Sequence, residues 1–260
     1  DDDFYDDDFY PGYLGDNFSL EGALESFKNS RSIEEFENRI NSRDNFVNNL
    51  DLNNDGRTDF IRVSDQSDDR NHRLIVLQAV LGRKDVQDIG VIAIEKTGRR
   101  HATLQMIGDE FLYGPDMVIE PNDIAYNQDR RGYGPSGEVE MRRGFVNVYF
   151  WPSVRNLFRP RYTYYRSPYY WGYYPRVWNP WRPYFYNTYY DRTSRFRRGY
   201  YRNAPGITIV YVNNFYRPRR RSYSPWIRDR YNRCEVVYNR DRNRNGNRRR
   251  DISQTPPERR

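Results

Sequence analysis

A single cysteine, Cys234, excludes an internal disulfide and any paired-thiol metal or redox centre. Two histidines, His72 and His101, leave a zinc site short of ligands, and there is no HExxH, CxxC, GxSxG or glycine-rich loop ending in GK[ST]. No uninterrupted apolar run approaches the ~18 residues that a membrane-spanning helix needs. Lysine occurs only at positions 28, 84 and 96, so positive charge is carried almost entirely by arginine. The acid pairs Asp68/Asp69 and Asp109/Glu110 are sequence neighbours; on a strand they would point to opposite faces, so they read as solvated loop charges and not as a carboxylate dyad. Both histidines sit in or beside strand-like runs and next to arginine, as ordinary sheet positions do. The chain therefore reads as a non-enzyme.

What is present is unevenly spread. Of 260 residues, 37% are hydrophobic and 17% aromatic, so aliphatic core material is scarce and rings must replace it. Residues 1–140 hold 30 Asp and Glu against 15 Lys and Arg, whereas residues 141–260 hold 6 against 28. The net charge of +7 thus conceals an acidic half and a strongly basic half. All five Trp and 30 of the 44 aromatic residues lie beyond residue 140, interleaved with prolines at 152, 160, 168, 175, 180 and 183.

The charge split and local patterns divide the chain as follows. Residues 1–15, with the repeat DDDFYDDDFY, read as a flexible acidic leader, and the start at Asp1 reads as an exported chain whose signal peptide has been removed. Residues 16–122 read as an α+β domain. Ser19 caps a helix carrying Leu20, Ala23, Leu24 and Phe27, and Ser32 with Glu35 forms a capping box for a second helix over Ile33, Phe36 and Ile40. Strand patterns follow at 59–63, 73–81, 88–96, 102–107 and 116–121, joined by connections too short for crossover helices; this predicts a mainly antiparallel sheet with both helices on one face. Residues 123–144 read as a linker, 145–233 as an irregular aromatic, Arg- and Pro-rich interaction region with short helices and extended pieces, and 234–260 as a basic tail. Within 145–233 the patterns predict a helix capped by Asn179 with Pro180 in its first turn, and a strand over 207–215.

Two constellations carry chemistry. The first is DLNNDGRTD, residues 51–59, which spaces Asp51, Asn53, Asp55 and Asp59 as a calcium loop does, with Gly56 at the sharp turn and the Arg57 carbonyl as a further donor. Position 12 of a full EF-hand loop would be Glu; here it is Arg62, within a strand pattern, so the reading is a single structural calcium site, with Asp65, Asp68 or Asp69 available to complete the shell. An Asp/Asn/Gly turn that caps a strand is the competing reading. The second constellation is Trp151, Tyr170, Trp171, Tyr174, Arg176, Trp178, Trp181, Arg182, Tyr184 and Tyr186. Rings and guanidinium groups in this mixture suit the centre of a protein interface, with an outer-membrane protein or complex as partner. They also suit anionic lipid, a glycan or single-stranded nucleic acid, the last being disfavoured outside the cytoplasm, and a second small domain with an aromatic core is the alternative to any docking surface.

GDNFSLEGALESFKNSRSIEEFENRIN, NNLDLNNDGRTDFIRV, VLQAVLG, QDIGVIAIEKTG and IGDEFLYG, followed by a WPxVRxLFxPxYxxYxSPYYWGYYPxxWxPWRP segment and a basic tail, resemble exported proteins of Bacteroidota. The resemblance spans roughly residues 15–190. It implies export to the periplasm or attachment to the outer membrane of a Gram-negative envelope, and it implies no activity.

Overall fold

The computed structural model describes residues 13–67, 69–115, 117–122, 145–197, 201–219, 223–229 and 231. The leader up to residue 12, the 123–144 linker and the basic tail from 234, with Cys234, lie outside the described residues.

The fold is α+β: an antiparallel six-stranded sheet with several short helices. The first helix, α1 (Leu20–Lys28), begins where the Ser19 hydroxyl accepts the Gly22 N–H, and α2 (Ile33–Ile40) begins where the Ser32 hydroxyl accepts the Glu35 N–H. Glu35 reaches back to the Arg31 N–H, one residue before the position a strict capping box would use. Both helices bury their apolar stripes, and Phe27 meets Phe36 edge to face at 5.3 Å between ring centres.

The strands run in simple order, each antiparallel to the next: β1 (Phe60–Asp65), β2 (His72–Val80), β3 (Val86–Gly98), β4 (His101–Gly108), β5 (Val118–Pro121) and β6 (Tyr201–Asn203). Gly90 in β3 has no tolerance for a side chain, since a Cβ there would lie 2.6 Å from the Ile107 carbonyl oxygen of β4. A short helix, α3 (Glu110–Tyr113), is capped by Asp109 between β4 and β5.

Both faces of the sheet are covered. Ile75, Leu77, Ile92 and Ile94 face α1 and α2 in the main core, while Leu74, Val76, Val91 and Ala93 face the other way, onto Ile209, Val212 and Tyr216. The predicted strand over 207–215 is therefore a helical turn, with a π-type turn at Val212–Tyr216. Its apolar side chains recur at helical spacing, and a turn can lay Ile209, Val212 and Tyr216 on one flat face where a strand would offer alternate residues only.

The described residues of 145–231 form no separate buried cluster. Val148, Trp151, Val154, Leu157, Tyr201 and Ile227 belong to the cluster under α1 and α2, and β6 extends the sheet. The helix α4 (Pro152–Leu157), with proline at its start, inserts Val154 and Leu157 there. The boundary placed at 122/145 thus does not mark the edge of the core.

The helix expected from Asn179 starts later, as α5 (Tyr186–Thr193). Pro183 cannot donate within a helix, and the preceding backbone is held extended by the other half of the chain. Thr58 N–H donates to the Trp181 carbonyl at 2.9 Å and its hydroxyl accepts the Trp181 N–H at 3.2 Å. The Asn49 side chain accepts from Tyr184 N–H at 2.7 Å and donates to Tyr184 carbonyl at 3.0 Å.

The same device closes the outer edge of β1. The Asn41 amide takes both backbone groups of Ile61, Glu37 accepts the Val63 N–H, and the 165–167 segment accepts from Asp65 N–H and donates to Val63 carbonyl.

Candidate functional site

The 51–59 loop leads into β1. Asn54 at φ 55° and Gly56 at φ +80° supply the left-handed backbone that wraps it, and at Gly56 a side chain would be strained by conformation alone, since nothing lies within 4 Å. The loop is held by its own carboxylates: Asp51 accepts N–H bonds from Asp55 at 3.0 Å and Gly56 at 2.9 Å, and Asp55 accepts from Arg57 at 2.9 Å. Asp59 is buried and accepts the Leu52 N–H at 2.6 Å. Burial, reinforced by the nearby charges of Asp51 and Asp55, pushes the Asp59 carboxyl up to about 8, and burial also raises Asp51. Asn53 reaches Asp55 at 3.3 Å.

Four oxygen-bearing side chains and a sharp backbone turn are the donor chemistry of a hard divalent cation. In this structure the carboxylates of Asp51 and Asp55 turn onto the loop's own amides, and among the described residues no three His, Cys, Asp or Glu side chains form a metal-holding cluster. The donor types and the turn fit calcium; a closed coordination shell would require these carboxylates to re-aim.

The second constellation divides into inward and outward rings. Trp151 and Trp181 are buried. Trp178 and Tyr174 are half-buried and pack with Tyr169 on the ring of Phe60, at 5.1, 5.6 and 5.6 Å between centres. Tyr184 is half-buried over Phe46, with Arg43 donating to its hydroxyl at 2.8 Å, and Tyr186 is half-buried beside Tyr190. Arg176 and Arg182 are exposed.

Tyr170 and Trp171 face outward, 58% and 37% exposed, on a feature whose shape the sequence reading missed. Tyr170 and Tyr173 exchange both backbone hydrogen bonds, at 3.1 and 2.8 Å, around a two-residue turn of Trp171 and Gly172, the latter at φ +80°. Their rings stack at 5.1 Å, and Tyr173 is 52% exposed. The YYWGYY pattern carries the signal for such a turn in its central glycine. Phe60 forms the buried foundation of this aromatic tip, because Tyr169 and Tyr174 flank the turn and both rest on it.

Charge accompanies these rings. Residues 145–190 contain no Asp or Glu, and their six arginines, 155, 159, 161, 166, 176 and 182, are all exposed. Among the described residues the ion pairs of the second half reduce to Arg202 with Glu120, at 2.8 Å. Apart from Tyr13, every exposed large apolar side chain among the described residues lies in 145–231.

His72 and His101 each have partners within the fold. His72 Nδ1 lies 2.6 Å from Asp69 and Nε2 3.6 Å from Glu95, while its ring stacks on Tyr211 at 4.4 Å; both nitrogens and a face are thus taken up by the fold. His101 pairs with the Thr97 hydroxyl in an exposed turn. Among the described residues no helix is long and apolar enough to cross a membrane. No protein family, no curated protein and no solved structure matches this chain.

Proposed function

We propose that this is a non-enzymatic interaction protein of the cell envelope, exported to the periplasm or held at the outer membrane, that docks through its aromatic and arginine-rich surface onto an outer-membrane protein complex. The observation that carries this reading is the concentration of exposed rings in 145–231, together with the six exposed arginines of 145–190, a stretch that contains no Asp or Glu. Outward rings on a well-supported turn lose little entropy on binding, and Tyr, Trp and Arg dominate the energetics of interface centres. The docking residues are Tyr170, Trp171 and Tyr173, with Arg176 and Arg182 beside them in sequence; Trp151 and Trp181 serve the fold.

Calcium, in this reading, is a structural ion. Asp51, Asn53, Asp55, the Arg57 carbonyl and Asp59 would hold it, and its charge would relieve the repulsion among the three carboxylates. A second reading, anionic lipid as the docking partner, is favoured by the absence of any acid between residues 145 and 190.

The test replaces Tyr170, Trp171 and Tyr173 together by alanine and follows cofractionation with outer membranes. Loss of cofractionation with unchanged thermal unfolding is the expected result. Full retention overturns the docking surface. Salt separates the partners: lipid binding through arginine weakens steeply as ionic strength rises, whereas an interface anchored by buried rings persists.

A further inference from the structure

The turn over 204–216 covers the second sheet face along β2 to β5 and leaves it open over β1. There the face changes from apolar to polar: Arg62 pairs with Gln78 across the strands, and Ser64 with Val76. The uncovered end is a cleft of about 650 Å³, walled by Tyr164, Arg166 and Ser167 from the segment that closes the β1 edge and by Phe215 from the covering turn. Its size is that of a small-ligand site.

The floor of this cleft is built, not merely exposed. Arg62 Nε donates to Gln78 Oε1 at 3.0 Å, and Gln78 Nε2 donates to the buried Asp88 carboxylate at 2.7 Å; Asp88 also accepts the Tyr216 hydroxyl. This relay fixes the guanidinium plane from behind. The outer nitrogens, Nη1 and Nη2, make no hydrogen bond to a described residue, and no carboxylate among the described residues forms an ion pair with Arg62. Burial lowers the Arg62 pKa from its ordinary value, while Asp88 and Glu37 hold it up. The acid lining the cleft, Asp65, is buried: its Oδ1 accepts the hydroxyl and N–H of Ser67, while its Oδ2, turned toward the Tyr162 hydroxyl, has no hydrogen-bond partner among the described residues.

A fixed guanidinium with its two outer nitrogens free offers parallel donors that match one carboxylate or phosphate group, and the exposed Arg166 adds a second positive charge at the same cleft. Tyr164, whose ring also carries Arg73 at 5.5 Å, and Phe215, which stacks on Tyr211 at 4.9 Å, line the cleft with aromatic surface, and Ser64 and Gln66, 3.3 Å apart, add hydroxyl and amide groups, which together suit a polyhydroxylated ring. We propose that this cleft binds an acidic saccharide, with the sugar's carboxylate or phosphate on Arg62 and Arg166 and its ring between Tyr164 and Phe215. The site is separate from the aromatic tip and does not depend on docking.

Calorimetric titration of the full chain with digalacturonate, glucose 6-phosphate and neutral cellobiose tests it. At least one acidic probe should bind at millimolar concentration or below, with cellobiose weaker by about tenfold or more, and the acid preferred tells carboxylate from phosphate. Arg62→Lys keeps the charge and removes the planar fork, and Arg166→Gln alters an exposed side chain; each should weaken acid binding by about tenfold. Alanine at Tyr170, Trp171 and Tyr173 should leave that binding unchanged. The proposal is overturned if neither acidic probe shows saturable binding up to ~50 mM, if cellobiose binds as tightly as the acids, or if both arginine variants bind the acids like the wild type.

Discussion

Glu37 should make this protein lose stability as the pH rises through neutrality. It is 1% exposed, accepts the Val63 N–H at 2.6 Å and the Tyr165 hydroxyl at 3.0 Å, and so joins α2 to the β1 edge and to the aromatic half. Burial raises its pKa from 4.5 to about 7, against the opposing effect of those donors. Between these values the folded protein retains a proton that the unfolded chain has released. The neutral carboxyl's contribution to stability is therefore complete below the unfolded pKa and is lost as pH climbs through the folded one. A difference of about two and a half pH units corresponds to roughly 3 kcal/mol. Urea unfolding of the wild type and Glu37→Gln at about pH 5 and about pH 8 measures it, since glutamine has no proton to lose. The variant should gain roughly 2.5 kcal/mol on the wild type between the two conditions, since at about pH 5 the unfolded carboxyl has already begun to ionise. Asp59, whose carboxyl is also raised, contributes equally to both proteins and cancels in the comparison. Parallel pH dependences in the two proteins would refute the assignment.

Asn49→Ala strips both backbone partners from Tyr184 and should destabilise by roughly 2–4 kcal/mol in urea unfolding; a loss below ~1 kcal/mol would mean that water replaces the amide without penalty. Gly90→Ala forces a methyl against the Ile107 carbonyl and should cost about 2 kcal/mol or more, read as a lower melting temperature, whereas a neutral effect would show that β3 and β4 can separate locally. For the 51–59 loop, calcium at about a hundred times its dissociation constant should add roughly 2.7 kcal/mol of stability. Chelator should remove that gain and Asp55→Ala should abolish it, and a melting curve indifferent to both would reduce the loop to a turn.

The sequence showed the helices and strands of the first half clearly because each had its own signal: Ser19 and Ser32 at helix starts, and aliphatic runs bounded by short turns. It showed the 51–59 loop through spacing alone, but not the turning of Asp51 and Asp55 onto backbone amides. The second half was less legible, because its structure is imposed from outside. Ile209, Val212 and Tyr216 follow the contour of a sheet distant in sequence, and Trp181 and Tyr184 are held extended by Thr58 and Asn49. Nothing local distinguishes Trp181, which is buried, from Trp171, which is exposed; the difference is that Thr58 of the first half holds the Trp181 backbone. Gln78 and Gln105, amides inside apolar strands, were the available hint that strand positions would have to serve distant polar partners.

The pairing of Pro121 with Tyr201 governs the order of assembly. Strands β1 to β5 follow one another along the chain and can zip up by local steps, whereas β6 must return across a long intervening stretch, and the entropy of closing that loop is lost before any contact compensates it. The six-stranded sheet should thus be completed last, after a five-stranded meander has already formed. During that interval β5 is a bare sheet edge and the β2–β5 surface, with Leu74, Val76 and Val91, lacks its covering turn, so the partly built chain is at its most vulnerable to self-association while the aromatic half is still arriving.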